Sequence, residues 1–378
     1  YNSYNVVQEG TVSFLLTSLK DEELSRNSTK VKIGKHATDN YSLSIPNPKK
    51  PGFYKLSVMV NVTEYDDTLK RVLGVNVKDI VSDSPKPKDF DDFWANSITE
   101  LSHVKPKFKM TEQPVLEQNG ISVYLIECKS YGNLTIRGWL TIPKKRKPNT
   151  KLPVWYVLPG YGGKGVQPIY ANQDLAVLSF NVRGQGNSRD IVHPTPDGYV
   201  TTDIENKDKY IMRGAIMDCI RGIDFICSRP ELDSTNIICS GGSMGGYLSI
   251  ITSSLDPRIK LCSANNPVWS DWRSLNDPGT WPLSALVKYS KAKYIPMKRL
   301  LDNLDYYDLK NFSPNLECKS LIGISLLDNL APPYNQYTML NSIKGEYKLF
   351  VYPNLTHEVP PSLFTYLSKW MMDEFGMF

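Results

Sequence analysis

Asn236-Ile-Ile-Cys-Ser-Gly-Gly-Ser-Met-Gly-Gly-Tyr-Leu-Ser-Ile-Ile-Thr-Ser-Ser-Leu255 is the stretch that decides how this chain folds. Asn236–Ser240 reads as a buried strand, and it runs directly into Gly241-Gly-Ser-Met-Gly-Gly246. Tyr247–Leu255 then carries apolar residues at helical spacing. The order is strand, G-x-S-x-G, helix. A serine there stands on a tight turn with strained backbone angles, so its close neighbours must be glycine to avoid clashes. Such a turn exposes the Ser243 hydroxyl and sets the Met244 amide near a helix N-terminus, where it can face an oxyanion. The rival reading, a glycine-rich turn with an inert serine, does not account for the correct elements on both sides.

Outward from this elbow, the pattern from Leu152 onward is apolar strands alternating with helices. Pro153–Leu158, Leu175–Val182, Asn236–Ser240, Leu321–Leu327 and Lys348–Tyr352 are the predicted strands. Continuous apolar runs of this kind belong to a mostly parallel sheet covered on both faces, and the fold class is α/β. Ahead of them, Asp89–Leu101 places Phe90, Phe93, Trp94, Ile98 and Leu101 on one helix face, and Gly120–Lys129 pairs with Leu134–Pro143 as an antiparallel hairpin. Residues 1–82 differ. Thr11–Leu16, Lys30–Ile33, Tyr41–Ile45, Phe53–Val62 and Arg71–Val77 are short β-rich runs between turn clusters, which predicts a small Ig-like β-sandwich. Ser82–Pro87, stiffened by two prolines, reads as the linker to a catalytic domain over 83–378.

In a hydrolase with this elbow the partners follow in the order Ser, Asp or Glu, His. The chain has four histidines, 36, 103, 193 and 357, and only His357 follows Ser243. It stands in a loop just after the last predicted strand, which makes it the candidate general base. Eight aspartates follow Ser243, so order alone does not choose the acid. Asp328 ends the apolar run Leu321–Leu327, and catalytic groups gather at the carboxyl ends of such strands. Its task would be to hold the imidazole in one tautomer. Asp302, Asp305 and Asp308 lie on a more polar stretch and read as solvated charges.

The first core strand ends in Pro159-Gly-Tyr-Gly-Gly-Lys-Gly165. Formally this contains G-x-G-x-x-G, and Arg183 lies where it could meet a 2′-phosphate, so an NADP-dependent oxidoreductase is one alternative. Pro168 interrupts the helix that such a site requires. As part of a hydrolase, the same loop supplies a second oxyanion amide, with Tyr161 as the donor.

Composition is ordinary for a globular chain of 378 residues, with 41% hydrophobic and 22% charged residues and a net charge of +5. The densest basic run, Lys144–Lys147, reads as a solvated hairpin tip, and no recognition motif accompanies it, which argues against nucleic acid as a partner. The six cysteines show no metal-ligand spacing and read as buried free thiols. No apolar run approaches a membrane span. His357-Glu358 lacks the second histidine of a zinc helix, so neither metal nor cofactor is expected. The start at Tyr1 fits removal of a leader, a secretory signal being one explanation.

Gly160-Tyr-Gly-Gly163, Arg183-Gly-Gln-Gly186, Gly241-Gly-Ser-Met-Gly-Gly246, Asp328 with Pro332-Pro333, and His357-Glu358 occur in this order. Together with Asp89-Phe90 and Phe93-Trp94 they resemble the acetyl xylan esterase/cephalosporin C deacetylase family of carbohydrate esterases, over about residues 84–378. The resemblance implies an α/β-hydrolase with a Ser243–His357–Asp328 triad and an oxyanion hole from the Tyr161 and Met244 amides. It also implies removal of acetyl groups from sugar hydroxyls or small esters, with Arg183 and Gln185 bracing the site loops. Periplasmic or secreted placement follows from that substrate class. Compact family members assemble as hexamers, so a homo-oligomer is implied, although the added N-terminal domain bears on that assembly. Family members usually carry Gln where this chain has Met244. A prolyl-oligopeptidase-type serine peptidase, where G-G-S-x-G-G elbows also occur beside accessory β domains, is the runner-up. A non-enzymatic carbohydrate-binding protein on a hydrolase scaffold is a third reading.

Overall fold

The computed structural model describes residues 1–145, 150–162, 164–171, 174–190 and 198–377. Arg146 and Lys147 of the basic run, Gly163 of the glycine loop, and His193 therefore lie outside the described residues. Two compact units are formed, one of Tyr1–Val81 with Pro353–Leu355, the other of Ser82–Tyr352 with Thr356–Phe378.

The first unit holds β1 (Gln8–Ser18), β2 (Glu23–Ile33), β3 (Gly52–Val62) and β4 (Tyr65–Val75), in the spatial order β2-β1-β3-β4. All pairings are antiparallel, and Leu16 faces Leu56 in register. Phe14, Leu16, Tyr54 and Leu56 form its apolar cluster, as expected of a strand set with alternating sides. In place of the two facing sheets of the predicted sandwich, the strands of this unit make one sheet. Tyr41–Ile45 forms no strand. Pro46, Pro48 and Pro51 follow it closely, and proline offers no amide to a ladder.

In the second unit, β5 (Lys109–Glu112), β6 (Ile121–Lys129), β7 (Thr135–Pro143), β8 (Leu152–Val157), β9 (Ala176–Asn181), β10 (Leu232–Gly242), β11 (Leu261–Asn265), β12 (Lys319–Ser325) and β13 (Tyr347–Tyr352) make a nine-stranded sheet. Its order is β13-β12-β11-β10-β8-β9-β7-β6-β5. The run from β13 to β9 is parallel, and β7, β6 and β5 add on antiparallel. Helices α1 (Phe90–Ser102), α2 (Gly198–Thr201), α3 (Ile211–Cys227), α4 (Met244–Leu255), α5 (Leu283–Lys293), α6 (Met297–Leu304), α7 (Leu309–Phe312), α8 (Pro333–Leu340) and α9 (Pro361–Phe375) accompany it.

Packing follows the sequence pattern. Every residue of β9 is buried, as a central parallel strand requires. On α9, Leu363, Leu367 and Met371 recur one turn apart and pack with Val177, Ile238, Leu261 and Leu321 of the sheet. Burying each such leucine contributes about 1.5–3 kcal/mol. Four of the six cysteines are buried, Cys227 is exposed, and all six are free thiols. The chain leaves β8 toward β9 on one side and β10 lies on the other. The carboxyl ends of β8 and β10 thus flank a reversal of strand order, where a crevice opens in sheets of this type. The glycine loop leaves β8 there and the elbow leaves β10.

Candidate active site

Ser243 sits between β10 and α4 at φ 57°, ψ −123°. A non-glycine residue in that region is strained and persists only when its surroundings over-determine it. The Ser243 N–H donates to the Asn265 carbonyl at 2.9 Å, and its own carbonyl accepts from Tyr247 N–H at 3.0 Å. The flanking glycines answer to crowding. A Cβ on Gly245 would stand 2.5 Å from the Leu158 carbonyl oxygen, and one on Gly241 would stand 2.5 Å from the Gly245 carbonyl carbon. Strand β10, loop and α4 are therefore pressed together around the serine.

His357 Nε2 lies 2.8 Å from Ser243 Oγ, and His357 Nδ1 lies 2.7 Å from Asp328 Oδ2. The second oxygen of Asp328 accepts the N–H groups of Leu330 and Ala331, each at 2.9 Å. Asp328 is buried, so both of its oxygens are held away from solvent with hydrogen-bond partners. An acceptor opposite Nδ1 assigns the proton to that nitrogen and leaves Nε2 free to accept from the serine hydroxyl.

Two residues that hold the histidine loop were not foreseen from sequence. Asn266 Nδ2 donates to the Glu358 carbonyl at 2.8 Å, and Ser325 Oγ donates to the same oxygen at 3.3 Å. Ser325 N–H in turn donates to Asn266 Oδ1 at 2.8 Å. The residue after His357 is thus tied to the ends of β11 and β12, of which β11 was itself absent from the predicted strands.

On the opposite side, Gln185 Nε2 donates to the Gly160 carbonyl at 3.1 Å, fixing the residue before Tyr161. Arg183 is clamped by Asp218 of α3. Arg183 Nε and Nη2 donate to the two carboxylate oxygens at 2.8 Å each, and Arg183 N–H donates at 3.0 Å. Arg183 Nη2 also donates to the Tyr131 carbonyl at 2.9 Å, and Ser130 Oγ donates to Asp218 at 2.5 Å. Burial works against the Arg183 charge, but Asp218 beside it outweighs that and raises its proton affinity above the ordinary value. Bidentate geometry of this kind is specific to arginine.

These contacts leave the dinucleotide reading without a basis. Among the described residues no helix lies between β8 and β9, where a pyrophosphate would need one, and Arg183 is engaged by Asp218. Tyr161 instead packs edge-on against Tyr199, Trp269 and Trp281, with ring centroids at 5.5, 6.1 and 5.1 Å. Two of the aspartates read as solvated are not. Asp308 is fully buried and accepts the N–H groups of Asp271 and Trp272 at 2.7 and 2.9 Å, and burial pushes its carboxyl up to about 6. Asp305 is buried against Arg273 at 2.6 Å. Asp302, half-exposed, meets Lys298 and Arg273. The polar stretch misled because these carboxylates fold inward onto backbone amides and an arginine.

A parallel sheet with its strand order reversed beside a serine elbow, and a histidine and buried aspartate in line with that serine, define an α/β-hydrolase. The acetyl xylan esterase family profile matches residues 74–373, and the chain belongs to that family. It is a carboxylic ester hydrolase. The acetyl esterase Axe7A of Xylanibacter ruminicola is 28% identical over 324 residues, covering 82% of this chain and 71% of that protein. The acetyl xylan esterase structure from Paenibacillus sp. R4 superposes with a TM-score of 0.71 at 26% identity, covering 79% of this chain and 98% of that one. Acetyl xylan esterase 1 from Thermoanaerobacterium sp. JW/SL YS485 shares the fold, with a TM-score of 0.70 at 20% identity over 79% of this chain and 97% of that one. Neither the peptidase nor the oxidoreductase alternative is favoured by this family membership. Among the described residues no helix is long and apolar enough to cross a membrane.

Proposed function

We propose that the enzyme removes acetyl groups from acetylated xylan and related oligosaccharides through an acetyl-enzyme on Ser243. The hydrogen-bonded line Ser243 Oγ–His357–Asp328, at 2.8 and 2.7 Å, carries the reading. In the first step Ser243 Oγ forms a bond to the acetyl carbonyl carbon while its proton passes to His357 Nε2. Asp328 stabilises the imidazolium so formed. The negative charge that develops on the carbonyl oxygen is met by the main-chain amides of Tyr161 and Met244. Met244 opens α4, where the first amides of a helix have no intrahelical partner. Its side chain is fully buried, so the contribution assigned to it is the amide alone. His357 Nε2 then gives its proton to the sugar oxygen, the C–O ester bond breaks, and the alcohol leaves. Water, deprotonated by the same nitrogen, attacks the acetyl carbon and releases acetate.

Arg183 and Gln185 act through the loop that carries Tyr161, and Asn266 and Ser325 through the loop that carries His357. A polymeric substrate places the enzyme in the periplasm or outside the cell, and the family resemblance supports a homo-oligomer. The test is acetate release from a panel of acetylated xylan, acetylated xylo-oligosaccharides and p-nitrophenyl esters of increasing chain length, beside aminoacyl-peptide substrates. Turnover confined to acetyl and other short acyl esters agrees with the proposal. Preferential cleavage of the peptide substrates would overturn it.

A further inference from the structure

We infer that Gln336 of α8 is a positioning residue for the acid of the triad, acting through the loop between them to keep Asp328 in line with His357. This rests on the reading of Ser243, His357 and Asp328 as the catalytic line and adds the residue that fixes its far end. Asp328 follows β12 and leads into Asn329-Leu-Ala-Pro-Pro333, which opens α8. Pro332 and Pro333 have no amide N–H with which to tie this loop down. The Asp328 N–H reaches the Ser325 carbonyl at a long 3.4 Å. The loop is instead gathered by the carboxylate itself, whose Oδ1 accepts the N–H groups of Leu330 and Ala331 at 2.9 Å each.

Gln336 holds the other side of Ala331. Its Nε2 donates to the Ala331 carbonyl at 2.6 Å, and its N–H donates to the Pro332 carbonyl at 3.1 Å. A continuous line of hydrogen bonds therefore runs from Gln336 through Ala331 to Asp328, and from Asp328 Oδ2 to His357 Nδ1 at 2.7 Å. If Ala331 turns, its N–H swings off Oδ1, and Oδ2 loses its aim at the imidazole. Hydrogen bonds weaken steeply with angle, so a small rotation is enough.

The fold alone does not ask for glutamine at this position. Gln336 is fully buried, and its Oε1 has no hydrogen-bond partner among the described residues. An orphaned buried acceptor destabilises, and an apolar side chain of the same length would avoid it. The amide is nevertheless oriented unambiguously, because only its NH₂ end can meet the Ala331 carbonyl. The side-chain bond that Gln336 makes lies on the path to Asp328. Its neighbour Asn335 supplies the contrast. Asn335 Nδ2 donates to the Ser270 and Asp271 carbonyls at 3.1 and 3.0 Å and to Ser274 Oγ at 2.8 Å, none of which belongs to the Asp328 loop.

The test uses the full chain and the variants Q336M, Q336N, N335A and D328N, each checked for folding by its Tm. Q336M keeps the length of the side chain without the donor, and Q336N keeps the amide but withdraws it by one carbon. Both should lower kcat for p-nitrophenyl acetate roughly tenfold with KM within about twofold, the mark of positioning lost in the transition state. D328N should lose about 10⁴-fold. In protein carrying isotope-labelled histidine, the low-field proton resonance of His357 Nδ1–H should be sharp in wild type and absent in D328N. In both Gln336 variants it should broaden or move upfield, and in N335A it should stay in place whatever the Tm. The inference is overturned if folded Q336M and Q336N keep the wild-type kcat and resonance, or if N335A moves the resonance as far as they do. It is equally overturned if neither Gln336 variant folds, since Gln336 then serves the fold. Wild-type turnover by D328N would instead overturn the triad on which the inference rests.

Discussion

Replacing Asp218 with asparagine should loosen the loop that carries Tyr161 even though Asp218 touches no reacting atom. The change keeps the shape and removes the charge that Arg183 Nε, Nη2 and N–H and the Ser130 hydroxyl converge on. The side chains of Arg183 and Asp218 are 9% and 0% exposed, so the arginine is left charged and buried with a weakened partner. Breaking one side of such a pair costs about 3–5 kcal/mol. With an unfolding entropy of about 2.1 cal/mol/K per residue over about 300 residues of the second unit, that is a fall in Tm of about 5–8 °C. The Arg183 segment also carries Gln185, which fixes Gly160, and a displacement of about 1 Å at a reacting centre costs up to about a hundredfold in rate. Calorimetry and p-nitrophenyl acetate kinetics should therefore show a lowered Tm and a kcat reduced about 10- to 100-fold, with KM nearly constant. Replacing both partners, R183M/D218L, should recover much of the Tm, because apolar residues of similar volume substitute well for a buried pair. It should not recover kcat. A D218N protein with Tm within about a degree of wild type and unchanged kcat would refute the reasoning.

Other expectations follow from the same geometry. Asp308 has an ordinary value of 3.8 and is raised by burial to about 6, so the native state binds its proton more tightly than the unfolded chain. Its contribution to stability is present in full below about pH 4 and is lost as pH rises through about 6, a decline of about 3 kcal/mol. Urea midpoints of Asp308→Asn measured across that window should lack this decline. Gly245→Ala puts a methyl 2.5 Å from the Leu158 carbonyl oxygen, and should lower kcat at least about a hundredfold while binding of a substrate analogue, followed by calorimetry, changes little. Asn266→Ala removes the donor to the Glu358 carbonyl and the acceptor of Ser325 N–H. Stopped-flow acylation by p-nitrophenyl acetate should slow by roughly tenfold, the effect of about 1.4 kcal/mol of lost positioning.

Much of this was legible because the chemistry imposes local constraints. The elbow announces itself through glycines that crowding demands, and the parallel strands through continuous apolar runs. His357 stood out as the one histidine after the serine, and Asp328 as the polar end of an apolar strand, and the structure brings both within hydrogen-bond reach of the nucleophile line. What was missed depends on residues meeting across the fold. Asp218 lies amid the apolar face of α3, 35 residues from Arg183, with no local pattern to mark it. Ser325 falls within the predicted strand Leu321–Leu327 and Asn266 within a stretch where no element was predicted, and their bonds exist only once β11 and β12 are placed side by side. Strand β11, only five residues long and ending in Ser-Ala-Asn, has too little apolar run to be read alone. Asp305 and Asp308 were misread because polar spacing does not reveal a carboxylate that folds back onto amides. Tyr41–Ile45 was misread because propensity overrode the prolines that follow it.

The most direct test of the central claim is acetate release from acetylated xylan by Ser243→Ala, compared with wild type at equal concentration and with Tm measured on both. A loss of about 10⁴-fold or more is expected with the Tm essentially unchanged, since the hydroxyl serves the chemistry rather than holding the elbow. Acetate release by folded Ser243→Ala at a rate near that of wild type would contradict it.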